Sequence, residues 1–339
     1  MNILITGGAG YIGSHLAVEF LNNGHNVIIV DDLSNSEEFI IDNIINITKK
    51  EPVFYAYNCS NERLMDQIFS EHKINVVIHT AAKISISQSV TNPIDFFDNN
   101  INSLLTITKV MVKHNVKKLI YSSSATAYGI DSKELMVETM IKKHAIDSYS
   151  VSKQIGEDIL FTLNDNINTA IIRYFNPIGC HPSGLIGSIP TESGNNIINS
   201  LFNSKYKNEQ FKINGDNYKT TDGTCVRDYI NVIDLARAHN KILNWLIDSN
   251  KTEIFNLCTG NGTSVLKLIN IFEDICGEKL NTIIGNRRKG DSGFLVGSTE
   301  KIKNIFNFTP KYDIIQSIKD YQKWYDFMDK KILKIKNND

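Results

Sequence analysis

The sequence predicts an α/β fold, a doubly wound parallel sheet in the first half of the chain followed by a smaller α/β domain. Two observations predict the sheet. Short Val/Ile-rich runs alternate with helix-length segments, and most of those runs are apolar throughout, as strands covered on both faces should be. A third observation predicts the second domain. After about Arg173 the rhythm breaks, and Pro177, Gly179, Pro182, Gly184, Gly187 and Pro190 crowd a loop-rich stretch.

Taken in order, strands are expected at residues 2–5, 26–30, 53–57, 75–79, 118–122 and 168–174. Helices at 11–22, 37–49, 61–72, 94–114 and 148–163 fit between them, and this alternation is the pattern of βαβ units. Beyond the loop-rich stretch, fewer and less regular elements are expected, with helices at 232–247 and 314–328 and a frayed polar tail over 330–339. The division expected is 1–175 for the sheet domain and 176–339 for the second domain, with some later segments returning to the first.

Composition excludes several classes. The 36 basic and 37 acidic residues nearly cancel, so no global field draws in nucleic acid or an anionic membrane. No apolar run is long enough to span a bilayer. Met1 leads directly into the first strand with no charged and apolar leader, so a cytoplasmic location is the expectation. Cys59, Cys180, Cys225, Cys258 and Cys276 are scattered and form no CxxC pair, which argues against a disulfide framework. The histidines form no HxxxH or HExxH pair, so no metal site is expected.

The first strand runs into Thr6-Gly7-Gly8-Ala9-Gly10-Tyr11-Ile12-Gly13, which opens the first helix. Gly7, Gly10 and Gly13 give the spacing GxxGxxG. A tight turn and a close backbone approach need residues without Cβ, and the helix N-terminus presents N–H groups to a pyrophosphate. Glycine triplets alone often mark no more than a turn. Here the triplet lies between strand and helix, and Asp31 ends the second strand 18 residues after Gly13. This is the Rossmann-type arrangement for a dinucleotide. A carboxylate at Asp31 accepts from adenosine ribose hydroxyls and repels a 2′-phosphate, which favours NAD over NADP. Asp32 adds to that repulsion, and reads equally as a solvated loop acid.

Tyr149-Ser150-Val151-Ser152-Lys153 opens the helix after the fifth strand. Residues i and i+4 share one face, so phenol and ammonium point the same way. A phenol titrates near ~10 and needs a neighbouring cation to act as a base at neutral pH. The fifth strand ends in a serine-rich run, where Ser124 faces the crevice in which such sheets bind ligands. Ser124 can bond the reacting hydroxyl or carry its proton to Tyr149. Ser122 and Ser123 read as turn chemistry.

The stretches TGGAGYIGSH (6–15), SSSATAYG (122–129), YSVSK (149–153), RYFNPIG (173–179), DGTCVRDYI (222–230) and RRKGD (287–291) together resemble the extended short-chain dehydrogenase/reductases, and within them the UDP-glucose (UDP-galactose) 4-epimerases. The similarity runs over nearly the whole chain. The resemblance implies that Tyr149 takes the proton of a sugar 4-hydroxyl while hydride passes from C4 to NAD. The 4-keto sugar then turns over and receives the hydride on its other face. It implies cofactor contacts at Gly7, Gly10, Tyr11, Ile12, Gly13, Asp31, Asp32, Asn35, Ser36, Asn58, Cys59, Thr80, Ala81, Ala82, Asn99, Ser124, Tyr149, Lys153 and Phe175. It implies UDP-sugar contacts at Ser124, Tyr149, Asn176, Asn196, Ile197, Arg227, Arg288 and Asp291. Charge chemistry supports part of that set, because a pyrophosphate suits the bidentate forks of Arg227 and Arg288.

The sequence also departs from the family. Asn58 stands where an acid is usual, Ile84 takes the place of a common lysine with Lys83 one residue earlier, and Asn214 replaces an aromatic. Leu295 falls where residue size decides whether N-acetylated sugars fit, and leucine is intermediate. Epimerases of UDP-N-acetylhexosamines or UDP-glucuronate therefore stay open as alternatives. A sugar-nucleotide 4,6-dehydratase is disfavoured, because Ala125-Thr126 occupies the place of that family's Asp-Glu pair. A non-catalytic NAD-binding protein could dispense with the base, yet Ser124, Tyr149 and Lys153 are all present. A homodimer is expected, built from the helices at 94–114 and 148–163. Ile101, Leu104, Leu105 and Val112 are apolar there, and could equally face the sheet.

Overall fold

The computed structural model describes residues 1–129, 134–190, 196–288 and 291–336. The first half contains β1 (Asn2–Thr6), α1 (Tyr11–Asn22), β2 (Asn26–Val30), α2 (Phe39–Thr48), β3 (Val53–Tyr55), α3 (Glu62–Glu71), β4 (Val76–His79), α4 (Ile86–Thr91), α5 (Pro93–Lys113), β5 (Lys118–Ser124), α6 (Ser148–Thr162) and β6 (Asn168–Tyr174). Every expected strand and helix is present, with bounds shifted by at most two residues. β5 runs two residues further than expected because each residue from Lys118 to Ser124 pairs with β6. The short α4, capped by Ser85 accepting from Gln88 N, has no periodicity long enough to announce it.

The second half contains β7 (Asn176–Ile178), α7 (Ile197–Tyr206), β8 (Phe211–Asn214), β9 (Val226–Asn231), α8 (Val232–Asp248), β10 (Glu253–Leu257), β11 (Gly262–Ser264), α9 (Val265–Cys276), β12 (Thr282–Gly285), β13 (Phe294–Leu295), α10 (Glu300–Phe306) and α11 (Ile314–Lys336). The elements here are short rather than few, which corrects the expectation of a sparse second half. Strands of two to four residues give no readable alternation. The expected frayed tail is also corrected. α11 continues to Lys336, and the Lys331 ammonium sits 4.0 Å from the Phe39 ring centre, tying the helix to α2. Residues 337–339 lie outside the described residues.

Seven parallel strands form the main sheet in the order β10-β6-β5-β4-β1-β2-β3. The order reverses between β1 and β4, which opens a crevice at the strands' C-terminal ends. Although the strands are apolar throughout, they still divide by a period of two. Ile3, Ile5, Val76 and Ile78 join the apolar cluster on one face, with α1, α2 and α8. Leu4 and Val77 join the cluster on the other, with α3 and α5. β10 is the returning segment that closes the β6 edge. A second sheet has the order β11-β9-β13, with β7 also paired to β9, and β8 pairs with β12. Trp324 of α11 is buried, donates through Nε1 to Ser188 O at 2.9 Å, and lies where a Cβ on Gly187 would approach its ring to 2.6 Å.

Among the described residues, no helix is long and apolar enough to cross a membrane, and no group of three or more His, Cys, Asp or Glu is placed to hold a metal ion. All five cysteines are free thiols.

Three histidines are fully enclosed. His15 bonds Tyr11 O through Nδ1 at 2.7 Å, His79 meets Thr6 Oγ1 at 2.7 Å, and His239 meets the Tyr174 hydroxyl at 2.7 Å. Burial pushes them down to about 3, about 3 and about 4 respectively. A histidine lowered by folding supplies stability that is complete above its unfolded value near ~6.5 and is lost as the pH falls below it. Each contributes a loss of about 1.4 kcal/mol per pH unit below that point, down to its folded value. The urea midpoint should therefore drop between pH 7 and pH 5. A level or rising midpoint would show that these rings do not stay neutral in the fold.

Candidate active site

The turn after β1 is built for close approach. Gly7 has φ +70°, and a Cβ there would come within 2.8 Å of Ala81 N in the loop after β4. A Cβ on Gly13 would overlap the Gly7 carbonyl oxygen. Gly10 is the N-cap of α1, and no side chain caps the helix. Thr80 closes the neighbouring loop by donating through Oγ1 to Thr6 O at 2.6 Å. The Tyr11 hydroxyl donates to Gly179 O at 2.7 Å, linking this turn to the end of β7. The result is a concave backbone surface with N–H groups at a helix terminus, the shape and polarity a dinucleotide pyrophosphate requires.

Asp31 is buried at the end of β2. It accepts from Ala9 N at 3.0 Å, Leu33 N at 3.0 Å and Ser36 Oγ at 2.8 Å. It therefore braces the glycine turn against the loop carrying Asn35 and Ser36. Asp32 is exposed and accepts from Asn58 Nδ2 at 2.9 Å, so it is part of a local bridge rather than an isolated solvated acid. Next to it, Cys59 is buried, and burial followed by the Asp32 charge pushes its thiol up to about 12. Ile84 is exposed, and Lys83 pairs with Asp95 at 3.3 Å. Asn99, on α5, is partly buried. Its neighbour Asn100 is fully buried and clamps the loop, accepting from Lys83 N at 2.8 Å and donating to Lys83 O and to Ser152 Oγ on α6.

The strand end and α6 bring the three proposed catalytic groups together. Asp147 caps α6, accepting from Ser150 N at 2.8 Å, and so fixes the start of the helix. Burial raises the Tyr149 phenol above its ordinary value, while a hydrogen bond with Ser124 acts in the opposite direction. Lys153 is buried, with Nζ 5.9 Å from the Tyr149 ring centre and 5.1 Å from that of Tyr121. Its direct partner is Ser122 O at 2.6 Å. Burial lowers Lys153 to about 7, with Glu157 opposing. Ser122 and Ser123 are thus more than turn chemistry. Ser122 holds the lysine through its carbonyl, and the Ser123 hydroxyl donates to Glu157 Oε1 at 2.6 Å. Glu157 is in turn paired with Arg173 through two bonds, Nε at 2.9 Å and Nη2 at 2.6 Å. Both are fully buried, and removing one partner from such a pair costs about 3–5 kcal/mol.

A third group lies on the second sheet. Arg227 of β9 donates through Nη2 to Asp291 Oδ1 at 3.3 Å, and Asp291 N bonds Arg288 O. Arg288 is exposed, and its Nε and Nη2 both lie 3.1 Å from the amide oxygen of Asn214. The residue that departs from the family pattern therefore holds an arginine. Leu295 pairs with Arg227 in register and packs in one buried cluster with Ala125 and Phe175. That cluster joins the strand end carrying Ser124 to the arginine rim. Asn176 donates to Asp228 O at 3.1 Å. Asn196 caps α7 by accepting from Asn199 N, and Ile197 is the first residue of that helix.

Sequence reasoning missed Asp228. It is fully buried, accepting through Oδ1 from Thr259 N and Oγ1 and through Oδ2 from Gly260 N and Gly297 N. It gathers the loops after β10 and β13 beside Arg227. Only its presence in the DGTCVRDYI stretch marked it. Glu157 continues the spacing of Tyr149 and Lys153 by a further four residues, a signal that was available and not used.

Residues 3–258 match the NAD dependent epimerase/dehydratase family. The chain is 36% identical over 328 residues to the UDP-glucose 4-epimerase of Bacillus subtilis (strain 168), covering 96% of each. It is similar in structure to a UDP-glucose-4-epimerase from Stenotrophomonas maltophila with bound NAD and formylated UDP-arabinopyranose, with TM-score 0.94 and 36% identity over 97% of this chain and 99% of that one. A UDP-glucose 4-epimerase from Bifidobacterium longum in complex with NAD+ and UDP gives TM-score 0.92 and 35% identity over 96% of this chain and 98% of that one. The chain belongs to the NAD dependent epimerase/dehydratase family.

Proposed function

We propose that the protein interconverts UDP-glucose and UDP-galactose by inverting the C4 hydroxyl, with NAD held as a tightly bound prosthetic group. One observation carries the reading. Ser124, Tyr149 and Lys153 meet at the end of β5, and a single buried cluster joins that point to the Arg227–Asp291 rim. That arrangement supports the reading that base and diphosphate-binding groups share one site.

The glycine turn fits a dinucleotide, as its Cβ-free approach and uncapped helix show. Gly7, Gly10, Tyr11, Ile12 and Gly13 would hold the pyrophosphate, and Asp31, Asp32, Asn35, Ser36, Asn58 and Cys59 the adenosine end. Thr80, Ala81, Ala82, Asn99 and Phe175 would line the path to the nicotinamide. When bound, NAD supplies the hydride acceptor and donor for C4. The chain's own residues do the rest. Ser124 bonds the sugar hydroxyl and passes its proton to Tyr149. The partly buried phenol is raised by desolvation and is a reluctant base by itself, so the ammonium of Lys153 must stabilise its anion. Arg227 and Arg288 bind the pyrophosphate, Asp291 accepts from the uridine ribose, and Asn176, Asn196 and Ile197 line the sugar end. The nucleotide is held while the sugar is free to turn.

The division into a cofactor domain (1–175, with β10 returning) and a UDP-sugar domain (176–339) is part of this reading, as is a cytoplasmic location. So is a homodimer. Ile94, Leu105 and Val112 on α5 and Ile155 and Phe161 on the adjacent α6 are exposed. Leu104 is fully buried against the sheet and belongs to the core instead.

Purified protein with no added NAD should convert UDP-galactose to UDP-glucose. Failure even with added NAD would overturn this substrate and direct attention to N-acetylated or uronic UDP-sugars. Tyr149→Phe keeps the ring and removes the proton acceptor, so turnover should fall roughly 10²–10⁴-fold while the fold is retained. Near-normal turnover would refute the base. Sedimentation at micromolar concentration should give twice the chain mass, and a monomer would end the dimer proposal.

A further inference from the structure

Tyr149, Lys153 and Glu157 follow one another at four-residue steps on α6, so all three face the same side of the helix. Glu157 is completely buried and takes three donors, one from Ser123 and two from Arg173. Ser123 and Arg173 are themselves cross-strand partners on β5 and β6. The guanidinium of Arg173 lies 4.2 Å from the Tyr128 ring centre, in the turn that follows Ser124. Thus one carboxylate on the helix grips both strands immediately beside the strand end. Ser123 stands between Ser122, whose carbonyl holds Lys153, and Ser124, which acts to lower the Tyr149 phenol.

We propose that Glu157 is a positioning residue, which locks the strand end bearing Ser124 to the helix face bearing Tyr149 and Lys153 and supplies the negative charge beside Lys153. This rests on the reading of Tyr149 as the base. Lys153 already ties α6 to β5 through Ser122 O, and the bonds from Ser123 and Arg173 to one carboxylate extend that tie to β6.

The charges around the lysine agree. Lys153 faces His79 from β4, Tyr121 from β5, and Tyr149 and Glu157 from its own helix. His79 is neutral, pushed down by burial and then by Lys153. Of the four, Glu157 is the one whose charge opposes that of the ammonium and so favours it coulombically. Glu157 itself faces Arg173 from β6, and Lys142 stands 3.7 Å away. Tyr149 feels Asp147 as its charged neighbour, so the influence of Glu157 on the phenol passes through Lys153. Removing the carboxylate should weaken the ammonium and thereby make the Tyr149 phenolate harder to form.

The test uses the holoenzyme. Glu157→Gln alone strands a buried guanidinium, so the main variant is Glu157→Gln combined with Arg173→Met, which removes both charges. Two quantities are followed. The first is the pH midpoint of the Tyr149 phenolate ultraviolet band, taken as the difference between each protein and its Tyr149→Phe counterpart. The second is kcat and KM for UDP-galactose. The midpoint should move to higher pH, and kcat should fall about tenfold with KM little changed, as expected for a displaced catalytic pair. An unmoved midpoint with wild-type kcat would reduce the pair to a structural element and overturn the proposal. Should the double variant not fold, Ser123→Ala cuts the strand-to-helix bond and leaves the ion pair. It must then lower kcat at constant KM, and wild-type kcat in that variant would equally overturn the proposal. If the unaltered protein does not turn over UDP-galactose, the substrate reading fails, while the phenolate midpoint still decides the role of Glu157.

Discussion

A parallel sheet buried on both faces sends the C-terminal end of every strand to one rim, and the site depends on that constraint. Thr6, Val30, His79, Ser124, Tyr174 and Leu257 end neighbouring strands and deliver their loops to the same edge. No single loop needs to be long, because the sheet register has already placed its starting point. The reversal of strand order between β1 and β4 sends the helices that follow those two strands to opposite faces of the sheet. Gly7 and Ala81, drawn from the loops after those two strands, meet at the floor of the crevice.

Burial then sets the electrostatic character of the rim. Lys153, Glu157, Arg173 and Asp228 are all nearly or fully removed from water, where charges cost most and interact most strongly. Each is tolerated for a different reason. Lys153 has a carbonyl and aromatic faces, Glu157 and Arg173 have each other, and Asp228 has backbone and hydroxyl donors. Polar groups so placed have few alternative partners, so they hold the geometry that catalysis needs without reorganising.

What was legible in the sequence was local. The glycine turn, Asp31 and the Tyr149–Lys153 pair lie within single strand-turn-helix units, and spacing alone exposes them. The strand alternation was equally readable, because apolar runs bounded by turns need no distant partner to be recognised. Asp228 and Asn100 were not, since their partners lie 31 to 69 and 17 to 52 residues away. The second sheet failed for a related reason. β7, β11 and β13 are too short to alternate, and they exist only because β9 supplies their hydrogen bonds. Ser122 and Ser123 were misread because a backbone carbonyl accepting from a lysine, and a hydroxyl reaching a buried carboxylate, leave no mark on composition.

The return of β10 to the main sheet bears on how the chain is made. Synthesis proceeds from the N-terminus, so β6 emerges with one side paired to β5 and the other bare. Its partner on that side, Glu253–Leu257, follows only after β7, α7, β8, β9 and α8 have left the ribosome. During that interval the nascent chain exposes an apolar parallel strand edge, a template for association with other chains. Part of the burden on α8 is then temporal. It packs across α1 and β6 immediately before β10 arrives, and so presents the closing strand of the main sheet to the open edge.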